Sequence, residues 1–407
     1  MITIYKQTDK FYLTGCLFSV NYYGCVEHVQ VVQEVIQHAK ANHKTAHITW
    51  FDLIDAFGSL SHMLILHVLH HYHIPTRIIN YIQNIYSHLK GKVKTEDWET
   101  ELFEFLRGTF QGDPFSGTVF LIAFNPLIEH IKKFKEKQGN KIKDVNVITT
   151  PFADDFNLIS KNKKLHQKLI EDVVHKAETM GLFFKPSKCR SLSLIGGVPR
   201  NVMFVLKTSD TTNISTYIET VYNKPHKFLG ATVTYNNTPN EYSEQLYKIL
   251  SVKLENIDLS KVRSEHKLKI YERHALPSMR FHLSIHDLHK THLTKLDNLA
   301  KKYLKKWLKY PTRGVTDVGI FHPYLLNIKQ PSQIYIEGHA SNMFLMRMKG
   351  DKTVNACIES KLERERSWSK KSSTAVKSDS MIAPTVKNSL EARQTQPITR
   401  NQCMNRG

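Results

Sequence analysis

The chain has 407 residues, 41% of them apolar, and its 57 lysines and arginines against 37 acidic residues leave a net charge of +20. That length allows two or three domains with a sizeable core, and so basic a balance points to a polyanionic partner, nucleic acid before membrane surface. Five cysteines without a CxxC pair argue against a disulfide framework, and neither a signal-peptide start nor an apolar run near the ~20 residues of a membrane span is present. The expectation is a soluble, intracellular protein of nucleus or cytoplasm.

In chain order, "EHVQVVQEVIQHAKA" (27–41) carries Val32, Val35, Ile36 and Ala39 at helical spacing. "TAHITWFDL" predicts a strand ending at Asp52, and "SHMLILHVLHHYHI" a helix capped by Ser59 or Ser61 and stopped by Pro75. A loop and a short strand then lead to "RGTFQGDPFSGTVFLIAFNPLIEHIKKF", an apolar helix with Pro114 suited to its first position. "DVNVITTPFADDFNLIS" predicts two short strands around a turn at Ala153–Asp155, followed by an amphipathic helix ended by Gly181. Strands follow at "KCRSLSLIG" and "HKFLGATVTY", so the pattern to about residue 235 is α+β, a sheet covered by helices.

From about 240 to 346 the texture turns helical. One helix sets Leu293, Leu296, Leu299, Tyr303, Leu304 and Trp307 in a stripe, with Lys301, Lys302, Lys305, Lys306 and Lys309 on the remaining surface. The tail from about 367 is rich in Ser, Lys and Thr, a composition that predicts disorder.

Asp154 and Asp155 stand side by side in an otherwise apolar, uncharged segment, where carboxylates are costly. Alone, such a pair reads as a solvated turn. If the strand ending at Asp52 lies beside it, three carboxylates meet and repel unless cations sit between them, and oxygen-only ligands suit Mg²⁺. Two such ions activate an attacking hydroxyl and stabilise the pyrophosphate that leaves in phosphoryl transfer. Neighbouring strand residues face opposite ways, so Asp154 ranks above Asp155 as a ligand. His67, His70, His71 and His73 lie close together but lack a Cys or carboxylate partner at matching spacing, and they read as a surface cluster.

Several stretches in order, "TWFDLIDAFGSLSHMLILHVL", "RGTFQGDPFSGTVFLIAFNPL", "PFADDFNLIS", "GLFFKPSKCRSL" and "HKFLGATV", resemble the successive palm motifs of reverse transcriptases, most closely those of non-LTR (LINE-type) retrotransposons. The likeness covers about residues 10 to 370. It implies a right-hand polymerase palm, an antiparallel sheet with packed helices, joined to partial fingers and a helical thumb. The implied domains are partial fingers at 1–45, palm at 46–238 including a fingers/palm helix at 110–135, thumb at 239–346, and an extension at 347–407.

The resemblance further implies that Asp52 and Asp154 ligate metal with Asp155 as the third acid, and that two Mg²⁺ ions, or Mn²⁺, serve catalysis. Phe57 takes the steric-gate position, which excludes a 2′-hydroxyl, while its other reading is a core aromatic. Gln111 and Gly112 match the loop supporting the nascent base pair, and Lys188 a lysine near the triphosphate. Lys227, Phe228, Leu229 and Gly230 match the primer grip, and the lysine-rich helix faces the product duplex.

The implied partners are an RNA template, a DNA primer and deoxynucleoside triphosphates, with no membrane. Only Lys6 and Lys10 provide basic side chains before His28, so most of the fingers is expected to be missing and the chain reads as a fragment of a retrotransposon polyprotein. Where many relatives have a second Asp after the first motif, Gly58 stands here. Two functions follow: an RNA-directed DNA polymerase, or a catalytically dead nucleic-acid-binding remnant of one.

Overall fold

The computed structural model describes residues 24–109, 113–207, 216–222, 224–235, 239–311, 317–322, 324–348 and 350–371. The chain forms two compact units, 1–235 and 236–407. Gln111 and Gly112, and the tail beyond 371, lie outside the described residues.

The first unit opens with α1 (Gly24–Ala41), whose Val29, Val32, Val35, Ile36 and Ala39 are buried along one stripe. β1 (Ala46–Phe51) is buried at every position and leads through the one-turn α2 (Ala56–Ser59) to α3 (His62–His71). Ser61 caps α3, its side chain accepting from the Leu64 N–H at 3.5 Å. Ahead of the expected loop and short strand, α4 (Thr76–Ser87) follows directly from Pro75. Its buried Ile79, Ile82 and Tyr86, with Ile78 and Ile85 packed beside them, repeat at helical spacing that the sequence already carried.

The small hairpin of β2 (Lys90–Gly91) and β3 (Phe103–Glu104) precedes α5 (Ser116–Lys132). Pro114 stands two residues ahead of that helix, in a turn closed by Asp113, whose carboxylate accepts from the Phe115 N–H at 3.1 Å. α6 (Lys135–Gln138) and the β4–β5 hairpin (Asn140–Ile142, Val145–Val147) lead to β6 (Phe156–Ser160). α7 (Lys163–Thr179) is capped by the Asn162 side chain and ends before Gly181. Then come β7 (Arg190–Ile195), β8 (Val198–Arg200), β9 (Phe204–Leu206), β10 (Thr216–Thr220), β11 (His226–Phe228) and β12 (Ala231–Val233).

The main sheet runs β6-β1-β7-β10-β9, with β8 adding to β7. β1 lies between β6 and β7, antiparallel to β6 with Phe51 opposite Phe156, and antiparallel to β7 with Trp50 opposite Arg190. Both faces of β1 are covered, which is why its sequence shows no polar alternation. On one face Phe51 stacks on Phe156 at 5.2 Å, and Phe156 meets Phe124 of α5. On the other, Trp50 receives the β11–β12 hairpin, with His226 at 4.5 Å and Phe228 at 6.4 Å. Several polar side chains buried in and against this sheet bond to one another: His166 of α7 to Thr49 and Ser160, both at 2.8 Å, and His47 to Ser193 at 2.9 Å.

The second unit is helical throughout its described residues: α8 (Pro239–Leu259), α9 (Ser264–Ile270), a π-turn (Tyr271–Ala275), α10 (Leu276–Ile285), α11 (Lys290–Trp307), α12 (Val318–Phe321), α13 (Pro331–Met348) and α14 (Lys352–Lys371). Leu246, Leu250 and Leu254 of α8 pack with Leu296, Ala300 and Leu304 of α11 and with Met279 and Leu283 of α10. The π-turn immediately precedes Pro277, which offers no N–H and presses on the carbonyl four residues back, so a widened turn lets α9 run on into α10.

Candidate active site

Asp52 follows the last residue of β1 and Asp155 precedes the first of β6. Because Phe51 pairs with Phe156, the next position along the ladder sets Asp52 opposite Asp155. Asp154 belongs to a two-residue hairpin loop. Phe152 and Asp155 exchange both backbone hydrogen bonds, at 2.8 and 3.0 Å, around Ala153 and Asp154. Ala153 holds φ +54°, a left-handed value that costs an L-residue about 1–2 kcal/mol. The tight loop keeps both acids at the sheet edge.

The alternation argument that ranked Asp154 above Asp155 assumed that both lie on a strand. Only Asp155 continues the strand register; Asp154 is a turn residue.

The carboxylates feel one another. Desolvation, then the charge of Asp52, pushes the Asp154 carboxyl above its ordinary range, against its own backbone hydrogen bond. Asp155 keeps an exposed edge, yet desolvation by its surroundings and the charges of Asp154 and Asp52 push it up to about 6, with Lys188 opposing. Like charges are therefore gathered faster than they are neutralised.

The segment "FFKPSKC" holds Asp52 from the other side. Leu53 bridges Phe184, and the Ile54 N–H donates to the Phe183 carbonyl at 2.8 Å. The Lys185 N–H donates to the Asp52 carbonyl at 2.8 Å, and the following turn brings Lys188 Nζ to 3.2 Å from Asp52 Oδ2. This ion pair, and the main-chain tie at Lys185, had no signal in the sequence, since 136 residues separate the partners.

Phe57 lies on α2, partly buried, its ring stacked on Phe120 at 4.1 Å and 20°. Asp55 caps that turn from a left-handed backbone (φ +42°), its carboxylate accepting from the Gly58 N–H at 3.3 Å. A Cβ on Gly58 would fall 2.0 Å from an Asp55 oxygen, so the glycine and the cap belong together. The Gly108 N–H reaches the Leu60 carbonyl at 2.8 Å, and the Thr109 N–H the Phe57 carbonyl at 2.8 Å, which ties Gly108 and Thr109 to α2 and its C-cap.

Lys227 and Phe228 lie on β11, and Leu229 and Gly230 form its two-residue turn to β12 with φ of +48° and +77°. Positive φ at both central positions is the hairpin turn that matches strand twist. What read as one strand is therefore a hairpin, with Phe228 buried against Trp50 and Lys227 exposed.

The five lysines expected along that helix, Lys301, Lys302, Lys305, Lys306 and Lys309, divide. Lys305 is only 8% exposed and pairs with Asp317 at 2.9 Å; Lys301 pairs with the same Asp317. Lys306 pairs with Asp258 at 2.6 Å, where the Trp307 Nε1–H also donates at 2.9 Å, and together they hold the Asp258 carboxyl below its ordinary range. Lys302 points over the Tyr303 ring and Lys309 is exposed. The expected exposed lysine face is thus corrected: Lys305 is buried, and Lys301 and Lys306 are tied to acids from other parts of the same unit.

A carboxylate-only donor set suits hard divalent cations, and the charge of Asp52 on both Asp154 and Asp155 is charge that such a cation would relieve. Among the described residues, however, no three His, Cys, Asp or Glu side chains converge closely enough to hold a metal ion as they stand. Gathering these three takes side-chain rotation and release of Asp52 by Lys188. The four histidines at 67–73 are exposed and form no such group either.

A family profile described as "Reverse transcriptase (RNA-dependent DNA polymerase)" matches residues 1–233. The chain belongs to the reverse transcriptase family. The central sheet, with acids at neighbouring strand ends and helices packed behind it, is that family's palm, and its members generally use divalent metal ions.

The chain is 25% identical over 290 residues to the Retrovirus-related Pol polyprotein from type-2 retrotransposable element R2DM of Drosophila melanogaster, covering 71% of this chain and 27% of that protein. It is 24% identical over 300 residues to the Pol polyprotein from type-1 retrotransposable element R2 of Bradysia coprophila, covering 71% and 32%. It therefore spans about a third or less of the length of these relatives. Among solved structures, a telomerase from Candida tropicalis in complex with a TWJ fragment of telomeric RNA aligns at TM-score 0.39 and 14% identity, covering 92% of this chain and 52% of that one. No helix among the described residues is long and apolar enough to cross a membrane.

Proposed function

We propose that the chain is the RNA-directed DNA polymerase portion of a non-LTR retrotransposon polyprotein, extending a DNA primer on an RNA template with deoxynucleoside triphosphates. The observation that carries this is that Asp52 and Asp155 stand at opposed ends of two paired strands, with Asp154 in the adjoining turn and a lysine already drawn to Asp52. Asp52, Asp154 and Asp155 would hold two Mg²⁺ ions, which Mn²⁺ could replace. Bound there, the ions supply Lewis-acid polarisation of the attacking hydroxyl and charge balance for the departing pyrophosphate.

The chain's own groups do the rest. Lys188, freed from Asp52, places its ammonium on the triphosphate. The Phe57 ring, braced by Phe120, stands where it meets the sugar and discriminates against a 2′-hydroxyl. Gln111 and Gly112 support the nascent pair, and the Lys227–Gly230 turn steadies the primer end on a base of Trp50 and Phe228. In this reading residues 1–45 are partial fingers, 46–238 the palm, 239–346 a thumb and 347–407 an extension. Of the five lysines expected to face the duplex, Lys302 and Lys309 are left to contact phosphate.

Primer extension on an RNA template with Mg²⁺ and deoxynucleotides tests this, comparing wild type with Asp154→Ala. Incorporation by wild type alone is expected. Equal incorporation by both rejects the reading. Salt-sensitive binding of primer–template with no extension by either protein favours the binding-only remnant, the reading in which the Lys188–Asp52 pair is never displaced.

A further inference from the structure

We infer that Arg190 is a positioning residue for Lys188, and that Glu219 fixes Arg190 for that task. The inference rests on the polymerase reading for its consequence, but the geometry is independent of it. Arg190 is the first residue of β7, immediately after the turn that carries Lys188. Its Nη1 donates to the Ser187 carbonyl at 2.7 Å and to the Cys189 carbonyl at 2.8 Å, the carbonyls of the two residues on either side of Lys188. Its Nη2 meets Glu219 Oε2 at 3.1 Å, and Glu219 lies beside Arg190 in the parallel pairing of β10 with β7. One guanidinium thus holds both sides of a single residue and is itself anchored to the sheet. A planar fork with five donors can do this; a lysine ammonium on the same stem cannot span all three acceptors.

The turn's own bonds run from the Lys188 N–H to the Lys185 carbonyl at 3.0 Å and from the Cys189 N–H to the Lys185 and Pro186 carbonyls, both at 3.2 Å, and they fix the turn's backbone rather than the direction of the Lys188 side chain. Asp52 is gripped from the same segment twice, through the Lys185 N–H and through Lys188 Nζ. Arg190 therefore sets where the only cation paired with Asp52 among the described residues stands, and where that ammonium is released toward a nucleoside triphosphate. It touches neither the acids nor the site of the substrate.

Two measurements separate this from a purely structural role. The first is spectroscopic. Lysines are reductively methylated with ¹³C, which preserves charge, and the Lys188 resonance is assigned by its loss in K188M. The Asp52 carboxylate 3.2 Å away is expected to shift it in wild type, and D52N to return it to the free-lysine position. R190M is expected to move it the same way, and R190K not to restore it. An unmoved Lys188 resonance in folded R190M overturns the inference. Should R190M fail to fold, E219Q retains the arginine and frees one end of it; a partial shift supports the inference, and no shift overturns it.

The second measurement is kinetic. R190M should lower kcat/KM for deoxynucleotide by about ten- to a hundred-fold, as small misplacements of catalytic groups do. It should cost nothing further in a K188M background, because the two act as one unit. Multiplying losses in the double variant overturn the inference. If wild type extends no primer, the polymerase reading fails, while the resonance of Lys188 still decides the positioning.

Discussion

Buried neutral histidines should make the first unit acid-labile, and His47 shows how strongly. Its ring is 1% exposed, bonded to Ser193 and edge-on to Phe204, and burial with the nearby charge of Lys163 lowers its pKa to about 4. In the unfolded chain it titrates near 6.5. Between those values the unfolded state holds the extra proton, so stability is complete above about pH 6.5 and is lost as pH falls toward 4. From about pH 7.5 to about pH 5, linkage gives a loss of about 2 kcal/mol for this one group.

His226, depressed to about 4 by burial and the charge of Arg190, adds a similar amount, and the fully buried His166 is lowered further still. Against a domain stability of about 5–15 kcal/mol, the sum brings the unit close to unfolding near pH 5. Urea titrations across this range measure it. His47→Gln, which cannot titrate, should flatten the pH dependence by about 2 kcal/mol at pH 5 relative to wild type. Identical slopes for the two proteins would refute the argument.

Truncating Phe57 to alanine removes the ring stacked on Phe120, and should cost about 1–3 kcal/mol of stability and raise ribonucleotide incorporation relative to deoxynucleotide. Paired extension assays and urea melts read both effects. Asp317→Asn leaves buried Lys305 without its carboxylate and should destabilise the second unit by about 3 kcal/mol, whereas Lys309→Ala should leave the urea midpoint within about 0.5 kcal/mol and weaken duplex binding instead. Gly230→Val forces a β-branched side chain to φ +77° and should lower the melting temperature and primer extension together, whereas Gly230→Asn is tolerated. Gly338→Leu drives a side chain into Ser284, which already stands 2.7 Å from an ideal Cβ, and should separate α13 from α10 and unfold the second unit at lower urea.

The parts of the fold carried by long periodic stretches were legible in the sequence. α1, α3, α5 and α7 each bury a stripe that repeats at helical spacing, and β1 reads as a strand because both its faces are covered. α4 was legible too, since Ile78, Ile79, Ile82, Ile85 and Tyr86 repeat at helical spacing between Pro75 and the hairpin, whereas β11–β12 escaped because Leu229 and Gly230 look like strand until their φ values are known. In the site, the acids and Lys188 were found through their motifs. Their pairing was not: the ladder that sets Asp52 opposite Asp155, and the ion pair of Lys188 with Asp52, join residues more than a hundred positions apart. Lys305 misled for a related reason, since its partner Asp317 lies beyond the helix and helical periodicity cannot report an ion pair made elsewhere in the fold.

The central claim is that Asp52, Asp154 and Asp155 form one cation site. A Mn²⁺ titration of the intact chain, followed by electron paramagnetic resonance, tests it most directly, with D52N, D154N and D155N alongside. The account predicts saturable binding in wild type that weakens by at least about tenfold in D52N and in D155N, since each carboxylate is needed to offset the cost of desolvating the ion. Uptake by the triple asparagine variant equal to that of wild type would contradict it.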